Sequence, residues 1–398
     1  MQRLIVTYAV CAIASGFGMR LMDPLILPVG IEYALEPATA ALLNTGFAWP
    51  YALGQPFLGP LGDRYGKLQC IRVSVAVLAL AQAAGAMASS FETLVASRVL
   101  AGIFAGGVIP LVLAGLGDAY GMADRQVAIG RMLLAIIGGQ MLGSTVAGLA
   151  SDVFGWRSAL WIAAGLAMAA AALAWVPTGT RPSSAPGSAA RPSSARAMYG
   201  EVLRNPKARW LYGAVIAEGT LVSGVFPFVG PLLVEQGVSA PADAAVRAGL
   251  ILGAFGAGGL AYALLVRRIV RALGVRRMCL LGSTILATTL VLLGFLPLWG
   301  LVAAAMAVAG WGFNMLHNSL QTEATEIAPG ARGSAVALFA CGLFVGIGLG
   351  PLWFGAVADV AGFRTALVVA AAGLLLLGQL VVRRVVVKLA PARDADPR

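Results

Sequence analysis

The run Gly62-Asp63-Arg64-Tyr65-Gly66-Lys67 is the densest cluster of charge and glycine in the apolar first half of the chain. Apolar segments flank it on both sides, at residues 45–61 and 73–87. Because glycine permits backbone conformations with positive φ, the run predicts a tight turn between two helices that cross a membrane. A solvated loop with no further role is the simpler interpretation of the same residues.

The composition is that of an integral membrane protein. Hydrophobic residues make up 59% of the 398 residues and charged residues 11%, against roughly 25% charged residues in soluble domains. Mean hydropathy is +0.86. A spanning helix needs about 20 apolar residues, and such segments recur along the chain with short polar breaks. We therefore expect an all-α membrane protein rather than a β-barrel, whose strands alternate in polarity.

Twelve transmembrane helices are predicted, in two six-helix bundles at residues 1–177 and 208–386. The segment at residues 178–207 is expected to be a largely disordered cytoplasmic linker, since it is rich in Pro, Ser, Ala and Arg, with a short surface helix at 198–209. Residues 387–398 are a predicted tail. The predicted helices span 4–31, 40–61, 70–90, 93–116, 127–150, 157–177, 208–235, 247–268, 276–296, 298–321, 333–357 and 363–386.

The cations predict the orientation. With both termini inside, 23 of the 28 lysines and arginines fall on the cytoplasmic side, as the positive-inside rule requires. The net charge of +11 therefore reflects topology, and we expect a lipid bilayer rather than nucleic acid as the partner. A plasma membrane location follows, in a bacterium the inner membrane. The four cysteines have no spacing that indicates a disulfide or a metal site.

The two halves of the chain repeat each other. Residues 151–157, SDVFGWR, recur 207 residues later as ADVAGFR at 358–364. The glycines of the preceding helix recur at the same offset. Parallel repeats of six helices are a transporter architecture. The repeated glycines, which we expect at packing contacts or hinges, are Gly139, Gly143 and Gly148 in the first half and Gly346, Gly350 and Gly355 in the second, where Pro351 follows Gly350.

Three motifs resemble those of the major facilitator superfamily. GDRYGK resembles the family's loop between helices two and three, and RVLAGIFA, residues 98–105, resembles its fourth-helix motif. The antiporter motif of helix five, G-x-x-x-G-P-x-x-G-G, is present imperfectly at residues 139–148, where Ser144 replaces proline and Ala147 replaces glycine. The departure weakens the inference to antiport and leaves the fold unaffected. The resemblance implies that helices 1, 4, 7 and 10 line a central cavity.

Charges at bilayer depth are costly and indicate function. Arg20 and Asp23 lie three residues apart on one helical face and are expected to pair. Glu218 lies near mid-bilayer with no cation close in sequence, which suits a carboxyl that loads and releases a proton. Arg98 resembles the family's fourth-helix arginine, implicated there in coupling. These four residues are the candidates for proton coupling, and structural pairing or packing is the alternative role for each.

The tenth helix carries a polar stripe with spacings of three and four residues, so its members share one face. Lipid disfavours such a face, and we expect it to line the substrate cavity. His317 is a further candidate for proton coupling, although a lone histidine is more often a hydrogen-bonding residue. The stripe consists of Trp311, Asn314, His317, Asn318 and Gln321.

The resemblance also implies a mechanical role for the loop. In this hypothesis Asp63 lies near the start of helix eleven, and Arg64 or Arg72 reaches Asp118 at the inner end of helix four. These contacts would latch the outward-facing state. The expected switch residues are Gly62, Asp63, Arg64, Gly66, Lys67, Arg72 and Asp118.

Together these features predict a secondary transporter that works by alternating access. We expect proton-coupled efflux of a small hydrophobic or amphipathic solute by a monomer, with the proton gradient as energy source and no cofactor. The alternatives are a proton symporter or facilitator for uptake, and a membrane sensor or scaffold that transports nothing. An enzyme is not expected, because the sequence has no nucleotide loop, metal cluster or nucleophilic triad.

Overall fold

The computed structural model describes residues 2–120, 122–176 and 195–386, which form helices and short connections without a β-strand. Short 3-10 turns occur at Asp23–Leu25, Phe226–Phe228 and Pro329–Ala331. The helices are α1 (Gln2–Arg20), α2 (Ile26–Tyr33), α3 (Pro37–Ala40), α4 (Leu42–Tyr65), α5 (Lys67–Ala86), α6 (Phe91–Ala119), α7 (Met122–Phe154), α8 (Arg157–Trp175), α9 (Ala195–Arg204), α10 (Ala208–Ser223), α11 (Val229–Glu235), α12 (Ala244–Leu293), α13 (Trp299–Glu326), α14 (Arg332–Ala361) and α15 (Phe363–Arg384).

The predicted fold of twelve membrane crossings is confirmed. Ten helical segments of the described chain are long and apolar enough to cross a membrane. One of them, α12, has 50 residues and turns at Gly274, where φ is 68°, so it supplies two crossings. The 24-residue α4 supplies the twelfth. The predicted eighth and ninth helices correspond to the two segments of α12, which meet at the non-helical Gly274.

The six-helix halves pack in the same pattern. In the first half α1 packs on α7 and α4 on α6, and in the second α10 packs on α14 and α12 on α13 and α15. The most extensive contacts between the halves are those of α4 with α14 and of α7 with α12. Both pairs are in contact near the ends of α4 and α7 that are remote from Gly66. We call this end of the molecule the closed end.

Glycines with positive φ end related helices in the two halves. Gly155 (φ 78°) follows α7, and Gly362 (φ 82°), its counterpart in the repeat, follows α14. The loop glycine Gly66 (φ 90°) matches Gly274 (φ 68°) in the same way. L-residues with a side chain rarely adopt this conformation, so the repeat preserves the turns as well as the spans.

The repeated glycines of α7 and α14 lie at close backbone contacts. A Cβ at Gly143 would lie 2.5 Å from the carbonyl oxygen of Phe17 on α1, and one at Gly350 would lie 2.7 Å from the Cα of Gly224 beside α10. Gly139 and Gly346 make the corresponding contacts one turn away. Since these four glycines hold the broken helices against α7 and α14, they set the position of the site below.

Two further glycines of the repeat lie between the halves or at the closed end. Gly148 on α7 faces the backbone of Ala245 and Gly249 on α12, and Gly355 on α14 lies beside Ala38 on α3. Much of the predicted linker, residues 178–194, and the tail at 387–398 lie outside the described residues. Within the remainder of the linker, α9 spans Ala195–Arg204, so it ends before residue 209, where the predicted surface helix ends.

Candidate functional site

The first and seventh crossings are both interrupted at related depths. A 3-10 turn, Asp23-Pro24-Leu25, separates α1 from α2, and another, Phe226-Pro227-Phe228, separates α10 from α11. Proline lacks the N–H that would continue a helical hydrogen-bond ladder, which explains both breaks. The two turns contact each other across the interface between the halves. The breaks therefore bring polar groups to the closed end.

Ser144 stabilises the first break from a neighbouring helix. Pro24 cannot donate a hydrogen bond to the carbonyl of Arg20, four residues earlier. The hydroxyl of Ser144 on α7 donates to this carbonyl instead, at 3.2 Å. Ser144 is the residue that replaces proline in the helix-five motif, so the departure from the motif supplies a donor where the first helix lacks one.

Asp23 lies in the first break and is buried, with 2% of its surface exposed. The expected pair with Arg20 is present, at 3.5 Å between Nη1 and Oδ2. The amide Nδ2 of Asn44 on α4 donates to Oδ1. Oδ2 accepts no hydrogen bond among the described residues, so the longer ion-pair contact with Arg20 is its charged partner.

Arg98 on α6 lies in the same region and is 1% exposed. Its Nη2 donates to the carbonyl of Gly18 at 2.8 Å, and its Nη1 donates to Oε1 of Gln82 at 3.3 Å. The guanidinium lies 4.4 Å from the ring centroid of Phe47. Arg98 thus links α6 to α1, α4 and α5 next to the first break.

A small cavity lies between the halves beside Asp23. Its volume is about 10 Å³, which is close to the space that one water molecule requires. The guanidinium of Arg20 crosses the interface and lies 4.7 Å from the ring centroid of Phe226. The cavity lining includes Arg20, Asp23, Asn44 and Phe47 from the first half and Ser223 and Pro351 from the second.

The second half contains a separate buried acid. Glu218 on α10 is 0% exposed, and its Oε2 lies 2.9 Å from Nδ1 of His317 on α13. The imidazole stacks on Phe313 at 5.1 Å and tilts against Phe339 at 5.3 Å. Oε1 of Glu218 has no partner in the described part of the chain. The two residues, predicted separately, form one acid–imidazole pair.

The remaining members of the polar stripe do not share one environment. Asn314 donates to the carbonyl of Gly310 in its own helix at 2.9 Å. Trp311 meets Tyr262 edge to face, with ring centroids 6.0 Å apart. Asn318 is partly buried and Gln321 is exposed. Of the five residues, His317 is the one that pairs with an acid.

The turn between α4 and α5 is shorter than predicted: α4 continues to Tyr65 and α5 begins at Lys67, so Gly66 alone lies between them. The ion pair at this turn also differs from the hypothesis. Asp118 pairs with Lys67 rather than with Arg64 or Arg72. Arg72 instead donates to the carbonyl of Ala174 on α8 at 2.7 Å, because its position one turn into α5 directs it to that helix. The side chain of Asp63 lies outside the described residues.

Comparison with known proteins identifies the family. The model of the Major Facilitator Superfamily matches residues 8–298 and 245–397. The chain belongs to this superfamily.

Individual relatives are distant. The uncharacterized transporter YgaY of Escherichia coli O157:H7 is 31% identical over 169 residues, which are 41% of this chain and 40% of YgaY. The chain thus aligns with less than half the length of YgaY. A Helicobacter pylori (strain ATCC 700392 / 26695) protein named "Probable sugar efflux transporter" is 25% identical over 334 residues, 83% of this chain and 81% of that protein.

Solved structures share the fold. The nucleoside transporter NupG superposes with a TM-score of 0.79 at 13% identity, covering 96% of this chain and 99% of NupG. A bacterial homolog of the human lysosomal transporter Spinster, inward-facing and occupied, superposes with a TM-score of 0.73 at 15% identity, covering 98% of both chains.

Several site residues were missed from the sequence. Asn44 and Gln82 contact Asp23 and Arg98, and Ser144 caps the break in the first helix. Each is a polar residue within an apolar predicted span, which is the one sequence signal that distinguishes them. Their partners lie on other helices and were not predictable from spacing.

Proposed function

We propose that this transporter is a proton-coupled exporter of a small hydrophobic or amphipathic solute. The observation that carries the proposal is the buried Asp23–Arg20 pair at the contact between the two helix breaks. Arg20 also contacts Phe226 of the other half, so the charge state of Asp23 acts on a group that holds the halves together. Protonation and solute binding then bias the same equilibrium between two conformations.

The Glu218–His317 pair is the second element of the proposal. A fully buried carboxyl beside the one histidine of the chain is a group that exchanges a proton with its partner. Its position in the second half, distant in sequence from Asp23, gives each half a protonatable group. The tenth-helix residues Asn314, Asn318 and Gln321 are proposed to line the solute path beside it.

Direction and orientation are inferred from charge and from a relative. The cation distribution favours a cytoplasmic location for the Gly66 turn and both termini, which makes the closed end periplasmic and the conformation inward-facing. The relative named for sugar efflux supports export. The bacterial inner membrane is the corresponding location.

The test is transport in proteoliposomes under an imposed pH gradient, after a thermal-shift screen of metabolites and drugs identifies a solute. Wild type is expected to accumulate solute against its gradient. Asp23→Asn and Glu218→Gln are each expected to abolish accumulation while retaining solute exchange at zero gradient. Glu92→Gln is the matched control, because Glu92 is an exposed acid at the start of α6.

Gradient-driven accumulation that persists in the Asp23→Asn/Glu218→Gln double variant would disprove coupling through these acids. Absence of both flux and exchange for every solute that stabilises the protein would instead favour a sensor or scaffold. Accumulation in the opposite direction in right-side-out membranes would identify an importer.

A further inference from the structure

Two arginines share one tryptophan where the first helix of the second half meets the last. Trp210 lies near the start of α10, and its ring centroid is 5.4 Å from the guanidinium carbon of Arg209 and 5.0 Å from that of Arg384. The indole is partly buried and both arginines are exposed. Cation–π contacts use the guanidinium faces, so the N–H groups at their edges stay available to a ligand.

A second pair of arginines, Arg276 and Arg277, lies at the same level at the start of the second segment of α12. Gly378 of α15 packs against Ser283 of the antiparallel α12. Arg384 lies six residues beyond Gly378, and Arg277 lies six residues before Ser283, about 9 Å along each helix in the same direction. Arg276 and Arg383 adjoin them. We call Arg209, Trp210, Arg276, Arg277, Arg383 and Arg384 the arginine band.

The charge of the arginine band is not neutralised by the described protein. The ion pairs of the described residues involve Arg20, Lys67, Arg157, Arg247 and His317, none of which belongs to the band. Five guanidinium groups therefore face solvent or lipid head groups, and none of them forms an ion pair with a carboxylate of the described residues. Such a cluster at the end of membrane helices attracts anions strongly.

Exposed leucines lie directly below the arginine band, toward the membrane centre. Leu280 and Leu281 follow Arg277 by one turn, at 36% and 43% exposure, and Leu375 and Leu376 precede Arg383 by two turns, at 46% and 71%. A free phosphate ion would make no favourable contact with this apolar surface. An amphiphile with an anionic head and acyl chains matches both the arginines and the leucines.

We propose that the arginine band binds the head group of an anionic phospholipid, whose acyl chains lie along the leucines of α12 and α15. The lipid bridges the start of α10, the end of α15 and the start of the second segment of α12. It therefore ties together three helices of the second half at the face opposite the closed end. This site is independent of the proposed proton coupling.

The experiment measures phosphatidylglycerol binding to the full-length protein by native mass spectrometry, from a phosphatidylcholine background. Each surface arginine contributes roughly fivefold to binding of an anionic membrane, so Arg209→Gln/Arg384→Gln is expected to weaken binding by roughly 30-fold. Arg364→Gln is the matched control, since Arg364 lies 5.1 Å from the ring of Phe295 near the closed end. Its binding is expected to equal that of wild type.

Equal unfolding midpoints in phosphatidylcholine are expected for all variants and show that the substitutions leave the fold intact. Trp210→Phe is a second variant, which retains both arginines but gives them a weaker cation–π partner. It is expected to bind with an intermediate affinity. Equal weakening in Arg364→Gln, or no weakening in the double variant, would show nonspecific attraction to surface charge. Full competition by inorganic phosphate would show an ion site and overturn the lipid assignment.

Discussion

Replacing Thr45 with valine removes a hydrogen bond between the halves and preserves the side-chain shape. Thr45 is 6% exposed, and its hydroxyl donates to the carbonyl of Gly348 on α14 at 2.8 Å. Thr220 offers a matched control, because its hydroxyl also donates at 2.8 Å, but to Ile216 in its own helix. The two substitutions are chemically identical and differ in whether the lost bond joins the halves.

The magnitude follows from where each bond exists. A hydrogen bond between membrane helices contributes roughly 0.6 kcal/mol on average, and one in proteins generally about 1 kcal/mol. In the proposed alternating-access cycle, the Thr45 bond forms when the closed end is closed and breaks when it opens. Its loss is therefore expected to shift the ratio of the two conformations about three- to fivefold toward the open form. The Thr220 bond persists in both conformations, so its loss leaves the ratio unchanged.

Double electron–electron resonance measures the distance between two spin labels and therefore reports the ratio of the closed and open conformations. Spin labels at Thr39 and Asp359, both exposed at the closed end, are introduced after replacement of the four free cysteines. Thr45→Val is expected to increase the long-distance population and Thr220→Val to match the unsubstituted reference. Equal populations in all three proteins, or an equal shift in both variants, would refute the inference that this bond holds the closed end.

Three further substitutions test the site, the packing and the turn. Ser144→Ala removes the donor to the Arg20 carbonyl and is expected to lower the free energy of unfolding in detergent by about 1 kcal/mol; an unchanged value would contradict its capping role. Gly143→Ala is expected to cost about 1 to 3 kcal/mol of stability, since it forces a backbone contact, whereas Gly138→Ala, where a Cβ meets nothing within 4 Å, is expected to be neutral or stabilising. Asp118→Asn breaks the exposed pair with Lys67 and is expected to change stability by less than about 1 kcal/mol while slowing transport; unchanged transport rates would exclude a switch at this pair.

The sequence predicted features that depend on nearby residues. Apolar runs locate the crossings because about 20 such residues are needed to span a bilayer. Gly66 and Gly155 mark turns because glycine permits positive φ, and both have positive φ in the structure. The pairing of Arg20 with Asp23 was predictable because three residues along a helix bring side chains to one face. The repeat in sequence likewise predicted two halves with related helix packing.

The tertiary structure alone decided which polar groups meet across helices. Glu218 and His317 are 99 residues apart, and Asn44 reaches Asp23, because glycines such as Gly143 and Gly350 fix how far and at what rotation neighbouring helices approach. Helical periodicity gives the face on which a residue lies, but not the neighbour that the face meets. Lys67 rather than Arg72 pairs with Asp118 for the same reason: the rotation of α5 against α6 and α8 selects among cations that the sequence places equally close.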